Sequence, residues 1–304
     1  MCASKMHADE VDTDVSLVGR LLAAQFPQWA NLPIEPAVSI GTDNALYRLG
    51  DDLAVRLPRT QRVTTQLDKE HLWLPRLAPH LPLAISVPLA RGIPGEGYPW
   101  HWSVYRWLGG KNAAIERLTD LRAAAVALAQ FVAALHRIDP TGGPFPGAHN
   151  FGRGAPLATR EGATRTAIAS LKGMLDTAAV TAAWEAALET PQWEEHPVWI
   201  HGDLLPGNLL VEGGRLSAVI DFGGLAVGDP ACDLMPAWIL FSGESRDTFR
   251  AALSVDDATW ARGRGWALSW GLIFIPYYRE SNPHGVVIAR HAIDEVLADH
   301  KHAA

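Results

Sequence analysis

Cysteine is nearly missing from this sequence, since Cys2 and Cys232 are the only two among 304 residues. Two cysteines exclude a disulfide framework and a four-cysteine metal site. Blocks of lysine and arginine are missing too, and the net charge is −7. Because binding to a phosphate backbone requires a basic face, this balance argues against nucleic acid as the main partner. It is compatible with a cationic small molecule, and equally with a mildly acidic surface that only favours solubility.

Long apolar runs are also lacking. Met1 to Val11 is polar and mixed in charge, without the apolar segment of a signal peptide. The longest apolar stretches, such as Leu268 to Tyr278, are too short to span a bilayer. The sequence therefore predicts no membrane partner and a cytoplasmic location.

The first hundred residues predict strands and one helix. Two short apolar runs, Ala45–Leu49 and Leu53–Leu57, flank Gly50-Asp51-Asp52, which is typical of a hairpin turn. Thr65 to Leu77 has apolar residues at helical spacing, and Tyr98 to Leu108 is rich in aromatic and β-branched residues, which favours a strand.

The remainder of the chain favours helices. Thr119 is placed to cap a helix whose apolar face ends at Leu135, and Thr164 to Leu188 predicts a further helical segment. Val198 to Leu225 alternates short apolar runs with turns, and the chain is helical again from Ser245. We predict an α+β fold with a small β-rich lobe, residues 1–108, and a larger, mainly helical lobe, residues 109–304.

One motif carries the chemistry. In His201-Gly202-Asp203-Leu204-Leu205-Pro206-Gly207-Asn208 the aspartate precedes the asparagine by 5 residues, and Asp221 of Asp221-Phe222-Gly223 follows 13 residues later. Phosphoryl transfer requires a carboxylate that accepts or orients the proton of the attacking hydroxyl, and oxygen ligands that hold Mg²⁺ on the nucleotide phosphates. Asp203 fits the first role, and Asn208 and Asp221 fit the second. A hairpin predicted at Glu212 to Arg215 would bring the two metal ligands together.

With these residues the sequence resembles the aminoglycoside and macrolide phosphotransferases, small-molecule kinases related to protein kinases. Ser103 to Gly110 resembles the interlobe hinge of that family, and Gly228 to Leu234 resembles the segment after its metal-binding aspartate. The resemblance implies a two-lobed protein-kinase-like fold, with nucleotide binding in residues 1–108 and catalysis and acceptor binding in residues 109–304. It also implies Mg²⁺ with ATP or GTP, and a small-molecule acceptor.

The resemblance further assigns nucleotide contacts. Arg56 stands where kinases carry a phosphate-binding lysine, and Glu70, 14 residues later, is its candidate partner. The turn from Gly41 to Asn44 has a single glycine instead of G-x-G-x-x-G, and its backbone N–H groups would approach the phosphates. The base would meet backbone groups of Arg106 and Leu108. The alternative for Arg56 and Glu70 is that both are surface residues.

Two further groups of residues follow from the resemblance. Asp233 is expected near the catalytic loop as a structural acceptor of backbone or His201 hydrogen bonds. The C-terminal helices form the acceptor site in the resembled family, so four residues of this chain are expected to line it. The alternative is that Trp270, together with Trp266, packs in the core. The expected acceptor residues are Trp270, Tyr277, Tyr278 and Glu280.

Several functions remain open from the sequence. The first is phosphorylation of an aminoglycoside or macrolide, and the second is phosphorylation of an endogenous metabolite such as a sugar, amino alcohol or nucleoside. The third is a nucleotide-binding regulatory pseudokinase, against which intact Asp203, Asn208 and Asp221 argue. A protein kinase is disfavoured because Gly202 replaces the arginine of His-Arg-Asp and no Ala-Pro-Glu follows the Asp221 motif. The sequence makes no prediction of oligomeric state.

Overall fold

The structure is a computed structural model that describes residues 10–37 and 44–303. Gly41, predicted to contact the nucleotide, lies outside the described residues. The chain forms two compact units. The N-terminal unit comprises Met1–Pro79, Ala84–Gly110 and Ala218–Ile220, and the C-terminal unit comprises His80–Leu83, Lys111–Ser217 and Asp221–Ala304.

The N-terminal unit is built from two α-helices and six strands of the described residues: α1 (Val15–Gln25), β1 (Ile34–Pro36), β2 (Asn44–Leu49), β3 (Leu53–Pro58), α2 (Thr64–Leu77), β4 (Ala84–Ile85), β5 (Pro88–Gly92) and β6 (Trp102–Arg106). Five of the strands form an antiparallel sheet with the order β1-β2-β3-β6-β5. The predicted hairpin is confirmed: β2 pairs with β3 in a register that places Leu49 opposite Leu53, and Gly50 in the turn adopts φ +59°. The core of this unit lies between the sheet and α1.

Two helices differ in how well the sequence predicted them. The helix predicted over Thr65 to Leu77 is confirmed as α2, which continues through Pro75 to its end. The prediction of a single helix in this region was wrong, because it omitted α1. Asp14 caps α1 by accepting the backbone N–H of Leu17 at 2.7 Å, and the apolar side of the helix is buried.

The C-terminal unit is mainly helical. The elements that follow β6 are β7 (Lys111–Asn112), α3 (Leu121–His136), α4 (Glu161–Ser170), α5 (Thr177–Leu188), β8 (Val198–Ile200), β9 (Leu209–Glu212), β10 (Arg215–Val219), β11 (Ala226–Gly228), α6 (Pro236–Ile239), α7 (Gly243–Leu253), α8 (Asp257–Tyr278) and α9 (Pro283–Ala303). The short strand β7 pairs with β9, and β8 pairs with β11, both antiparallel. The last residues of β10 belong to the N-terminal unit, where they pair in parallel with β4.

Two sequence predictions in this unit need correction. The cap of α3 is Asp120, whose carboxylate accepts the N–H groups of Arg122 and Ala123 at 3.0 and 2.9 Å. Thr119 instead donates its hydroxyl to the carbonyl of Gly214 at 3.1 Å. The helical segment predicted from residue 164 to 188 is divided into α4 and α5, with an aspartate cap at the start of α5. Among the helices described, none has both the length and the apolarity needed to cross a bilayer.

Candidate active site

The loop after β8 positions Asp203 through its neighbours. The side-chain amide of Asn208 donates to the backbone oxygen of Asp203 at 2.9 Å and to its Oδ2 at 3.0 Å. The guanidinium of Arg153 donates from Nη2 to Oδ1 of Asp203 at 3.2 Å. Each carboxylate oxygen of Asp203 thus accepts a hydrogen bond, and these two bonds fix the orientation of the carboxylate from opposite neighbours, Asn208 and Arg153.

Asp233 fixes the backbone of the same loop. Its Oδ2 accepts the N–H of His201 at 2.8 Å, and its Oδ1 accepts the N–H of Gly202 at 2.7 Å. The side chain of Asp233 is fully buried, and His136 Nε2 lies 3.4 Å from Oδ2. A buried carboxylate with two backbone donors is well satisfied, so these contacts agree with the structural role expected for Asp233.

A close backbone contact explains the glycine that precedes Asp203. Gly202 has φ +77°, and a Cβ there would lie 2.7 Å from the carbonyl oxygen of Gly224. A Cβ on Gly224 would in turn lie 2.6 Å from the carbonyl oxygen of His201. The catalytic loop and the segment after Asp221 therefore pack backbone against backbone, which larger residues would prevent.

The surroundings of Asp203 change its acidity. Its side chain keeps 29% of its surface exposed, yet protein atoms crowd the carboxyl. Burial raises the pKa of Asp203 above the usual 3.8, the charge of Arg153 opposes that rise, and the negative charge of Asp221 adds to it. A carboxylate with a raised pKa is a stronger proton acceptor than a free aspartate.

Asp221 follows β10 after one residue, Ile220, and has a strained backbone conformation. Its φ of 62° and ψ of 74° place it in the left-handed region, which aspartate adopts only at a cost of about 1–3 kcal/mol. The conformation is held by the hydrogen bond from the N–H of Gly223 to Oδ1 at 3.3 Å. It is also held by Phe222, whose buried ring lies 4.5 Å from the imidazole of His201.

The oxygen atoms of this loop fit a magnesium ion. The amide nitrogen of Asn208 makes the two hydrogen bonds to Asp203 described above. The amide oxygen Oδ1 of Asn208 is therefore available as a neutral ligand for a metal ion. Asp221 adds a carboxylate, and Mg²⁺ is usually held by one or two such side chains together with substrate phosphates. Within residues 10–37 and 44–303, no group of three or more His, Cys, Asp or Glu residues could hold a metal by itself. The donor set therefore suits a metal shared with a phosphate ligand.

The N-terminal unit contains the predicted arginine–glutamate pair. Arg56 on β3 donates from Nη1 to both oxygens of Glu70 on α2, at 2.9 and 2.8 Å. Glu70 is 1% exposed and also accepts the hydroxyl of Tyr105 at 2.5 Å. When the side-chain amide of Asn44 is turned so that its oxygen faces Arg56, this oxygen accepts hydrogen bonds from Nη2 and Nε of Arg56 at 3.0 and 3.1 Å. The alternative of two surface residues is wrong for this pair, since Glu70 is buried.

The remaining predicted nucleotide contacts lie at the end of β6. Arg106 is the last residue of that strand, opposite Leu53 of β3, and its side chain is exposed. The chain then turns, with the N–H of Trp107 donating to the carbonyl of Asp52 at 2.7 Å. Leu108 follows, half-buried. Their role in holding a base stays a prediction.

The predicted acceptor residues divide by burial. Trp270 is 8% exposed, and its ring lies 5.1 Å from that of Phe274 in α8. Tyr277 is 65% exposed, and Tyr278 is half-buried. Glu280, just after α8, is exposed. The aromatic rings form a series along one helix, and Trp270 lies at its buried end.

Arg153 was missed by the sequence analysis. It lies in the loop after α3, between Gly152 at φ +68° and Gly154 at φ +79°. That segment predicts only a loop, and no spacing rule connects an arginine there to Asp203, 50 residues later. The lone cation in a glycine-rich stretch was the one available signal.

Sequence and structure comparisons place these features among known proteins. A model of the phosphotransferase enzyme family matches residues 36–266. No curated protein sequence gives a significant match. The structure is similar to the GDP complex of aminoglycoside 2'-phosphotransferase-IIIa, with a TM-score of 0.69, 20% identity, and coverage of 95% of this chain and 100% of that one. It is also similar to the macrolide 2'-phosphotransferase MphH from Brachybacterium faecium, with a TM-score of 0.60, 24% identity, and coverage of 92% and 97%.

A further similar structure is ADP-bound aminoglycoside phosphotransferase APH(2'')-Ib, with a TM-score of 0.56, 18% identity, and coverage of 94% and 97%. These likenesses confirm the α+β, protein-kinase-like fold predicted from the sequence. The family match extends over most of the chain and includes the loop of Asp203 and Asn208 and the Asp221 segment. The chain therefore belongs to the phosphotransferase enzyme family and is a phosphotransferase that acts on a hydroxyl group.

Proposed function

We propose that the chain transfers the γ-phosphate of ATP or GTP to a hydroxyl group of a small molecule, with Asp203 as the base. The observation that carries the proposal is the fixed carboxylate of Asp203, hydrogen-bonded to Asn208 on one side and Arg153 on the other. Its raised pKa makes it a suitable acceptor for the hydroxyl proton. We place the activity in the cytoplasm, which the low cysteine content supports.

The transfer follows from the positions of these side chains. The acceptor hydroxyl oxygen forms a bond to the γ-phosphorus while the bond from that phosphorus to the bridging oxygen breaks, and the nucleoside diphosphate leaves. Asp203 orients the hydroxyl and takes its proton. Asn208 and Asp221 would hold Mg²⁺, which when bound neutralises negative charge on the phosphates. In the N-terminal unit, Arg56 is proposed to contact the phosphates, with Glu70 and Asn44 orienting its guanidinium.

Two acceptor classes remain candidates. Similar structures are named for aminoglycosides and macrolides, which supports an antibiotic as acceptor. The guanidinium of Arg153 beside Asp203 argues against a polycationic aminoglycoside, because a positive charge next to the base repels amino groups. A macrolide and the second class, an endogenous metabolite, both remain compatible with it. Tyr277, Tyr278 and Glu280 offer aromatic rings and one carboxylate. A single carboxylate can pair with only one of the several amino groups of an aminoglycoside, so these residues would bind such a molecule weakly.

Calorimetry with the wild type and two variants tests the metal and nucleotide part of this function. We expect Asp221→Ala to weaken binding of Mg²⁺ with ATP or GTP by about tenfold or more, and to change binding of the metal-free nucleoside much less. Glu212→Ala is the matched control, because Glu212 is an exposed acid in the same hairpin. Equal losses for both ligands in Asp221→Ala would contradict the metal role.

A further inference from the structure

The strand β6 presents an apolar side and a polar side to different helices. Trp102 and Val104 belong to the core that the sheet forms with α1. Ser103 and Tyr105 alternate with them along the strand, so their side chains lie on the opposite side of the sheet. On that side they contact α2, where the Ser103 Oγ lies 2.6 Å from the Nε2 of His71.

Tyr105 contacts both members of the arginine–glutamate pair. Its hydroxyl donates to Oε2 of Glu70 at 2.5 Å, and the same oxygen accepts a hydrogen bond from Nη1 of Arg56 at 2.8 Å. The guanidinium carbon of Arg56 lies over the ring of Tyr105, 5.8 Å from the centroid. The register explains this ring contact, because Arg56 of β3 is opposite Ser103, and Tyr105 is then its diagonal neighbour on the same face.

The hydroxyl of Tyr105 is a permanent donor. Tyr105 is 4% exposed, and burial raises the pKa of its phenol well above the usual 10, a rise to which the negative charge of Glu70 adds. The phenol therefore keeps its proton. A hydrogen bond to a carboxylate is stronger than one between neutral groups, so this contact restricts where the Glu70 carboxylate can lie. Since both oxygens of Glu70 accept from Arg56, the restriction extends to the guanidinium.

We propose that Tyr105 is a positioning residue for nucleotide binding, which orients Glu70 through its hydroxyl and Arg56 through its ring. This inference rests on the proposed function, in which Arg56 contacts the phosphates. It assigns part of the affinity for the phosphates to a residue that acts only through Glu70 and Arg56. An arginine side chain has several rotatable bonds, and fixing it before the nucleotide arrives reduces the conformational entropy that binding costs.

Other contacts keep α2 in place when the hydroxyl of Tyr105 is removed. The His71–Ser103 contact joins α2 to β6, and the Arg56–Glu70 pair joins α2 to β3. We therefore expect Tyr105→Phe to fold. In this variant the aromatic ring beside Arg56 is kept, and only the hydrogen bond to Glu70 is lost.

Calorimetry with the whole chain tests the role of Tyr105 without a known acceptor. The ligands are ATP or GTP with Mg²⁺ and, for comparison, the nucleosides adenosine and guanosine. We expect Tyr105→Phe to weaken binding of the triphosphate by about threefold to tenfold, because a hydrogen bond to a charged group is lost. Binding of the nucleoside should stay unchanged, since a nucleoside lacks the phosphates that Arg56 would contact. Equal losses for triphosphate and nucleoside would overturn the inference.

Tyr98→Phe is the matched control. Tyr98 is 2% exposed in the same unit, and its hydroxyl donates to the backbone carbonyl of Pro58 at 2.7 Å. Each variant loses one buried hydroxyl and should unfold at a lower temperature than the wild type. Tyr98→Phe should nevertheless bind both ligands as the wild type does. If Tyr98→Phe and Tyr105→Phe weaken triphosphate binding equally, Tyr105 has only a structural role and the inference fails.

Variants of Arg56 separate this inference from the proposed function. Arg56→Lys should weaken triphosphate binding, and combining it with Tyr105→Phe should cost clearly less than the sum of the two single losses, because both changes act on one guanidinium. Additive losses would overturn the inference. If Arg56→Lys weakens binding and Tyr105→Phe does not, the positioning role is wrong and the phosphate contact of Arg56 stands. If neither variant changes binding, both are wrong.

Discussion

Asp203 shows how single residues set the chemistry of this site. Its two oxygens are held by an amide and a guanidinium, and the carboxyl is crowded enough to raise its pKa. The sequence predicted Asp203 and Asn208 from their spacing alone, because a short loop fixes how far apart two such side chains can lie. It did not predict Arg153, since a contact between loops 50 residues apart leaves no local pattern.

A pH profile tests the contact between Arg153 and Asp203. Because Asp203 acts as a base when ionised, kcat/KM should fall as the pH drops through its raised pKa, above the usual 3.8. The positive charge of Arg153 opposes the rise, so Arg153→Met should move the acid limb to higher pH. The profile is measured with an acceptor that the wild type phosphorylates. Arg165→Met is the control, because Arg165 is an exposed arginine of α4 paired with Glu161 and Glu185. An acid limb that stays in place in Arg153→Met would show that the two charges do not interact.

Arg56 gives a second prediction at this scale. Arg56→Ala would leave Glu70 buried without its partner, which costs about 3–5 kcal/mol, so Arg56→Lys is the better variant. Lysine keeps the charge but loses the paired geometry, and the KM for nucleotide should rise severalfold while the unfolding midpoint changes little. This KM is measured by steady-state kinetics at a saturating concentration of the acceptor. An unchanged KM would mean that Arg56 only anchors α2 to the sheet.

At the scale of elements, α8 shows where periodicity is informative. Trp266 and Trp270, four residues apart, lie on the same side of α8, and both are buried, at 1% and 8% exposure. Pro276 lies inside α8, which continues to Tyr278. Periodicity identifies a helix face but not what covers it, so core and acceptor roles could not be separated from the sequence.

Stability measurements on α8 separate those roles. Trp270→Ala should lower the free energy of unfolding by about 3–5 kcal/mol, because it leaves a large cavity. Tyr277→Ala should change it by less than about 0.5 kcal/mol, since that side chain is 65% exposed. Denaturant titration of both variants measures the difference. If Trp270→Ala unfolds like the wild type and only the KM for the acceptor rises, Trp270 lines the acceptor site instead of the core.

At the scale of the whole molecule, the order of strands and helices was enough to predict the fold class. Hairpins and capped helices are local, so β2, β3 and α2 could be predicted closely. The division of the segment from Thr164 to Leu188 into α4 and α5 had local signals that were overlooked, Gly173 at φ +85° and the Asp176 cap. The helix α1 was likewise overlooked despite its aspartate cap. The contact of Arg153 with Asp203 joins two separate loops, which explains why it became evident only in the structure.

The central claim is that this chain transfers phosphate from a nucleotide to a hydroxyl group by means of Asp203. For the most direct measurement, the wild type and Asp203→Asn are each incubated with Mg²⁺, ATP or GTP, and a panel of hydroxy acids, sugar phosphates, macrolides and aminoglycosides. Phosphate esters of these acceptors are then detected by mass spectrometry. We expect an ester with the wild type, and a turnover reduced roughly 10²–10⁴-fold in Asp203→Asn at nearly unchanged nucleotide affinity. Wild-type turnover in Asp203→Asn would contradict the account, as would stoichiometric nucleotide binding without any ester, which would instead indicate a regulatory nucleotide-binding protein.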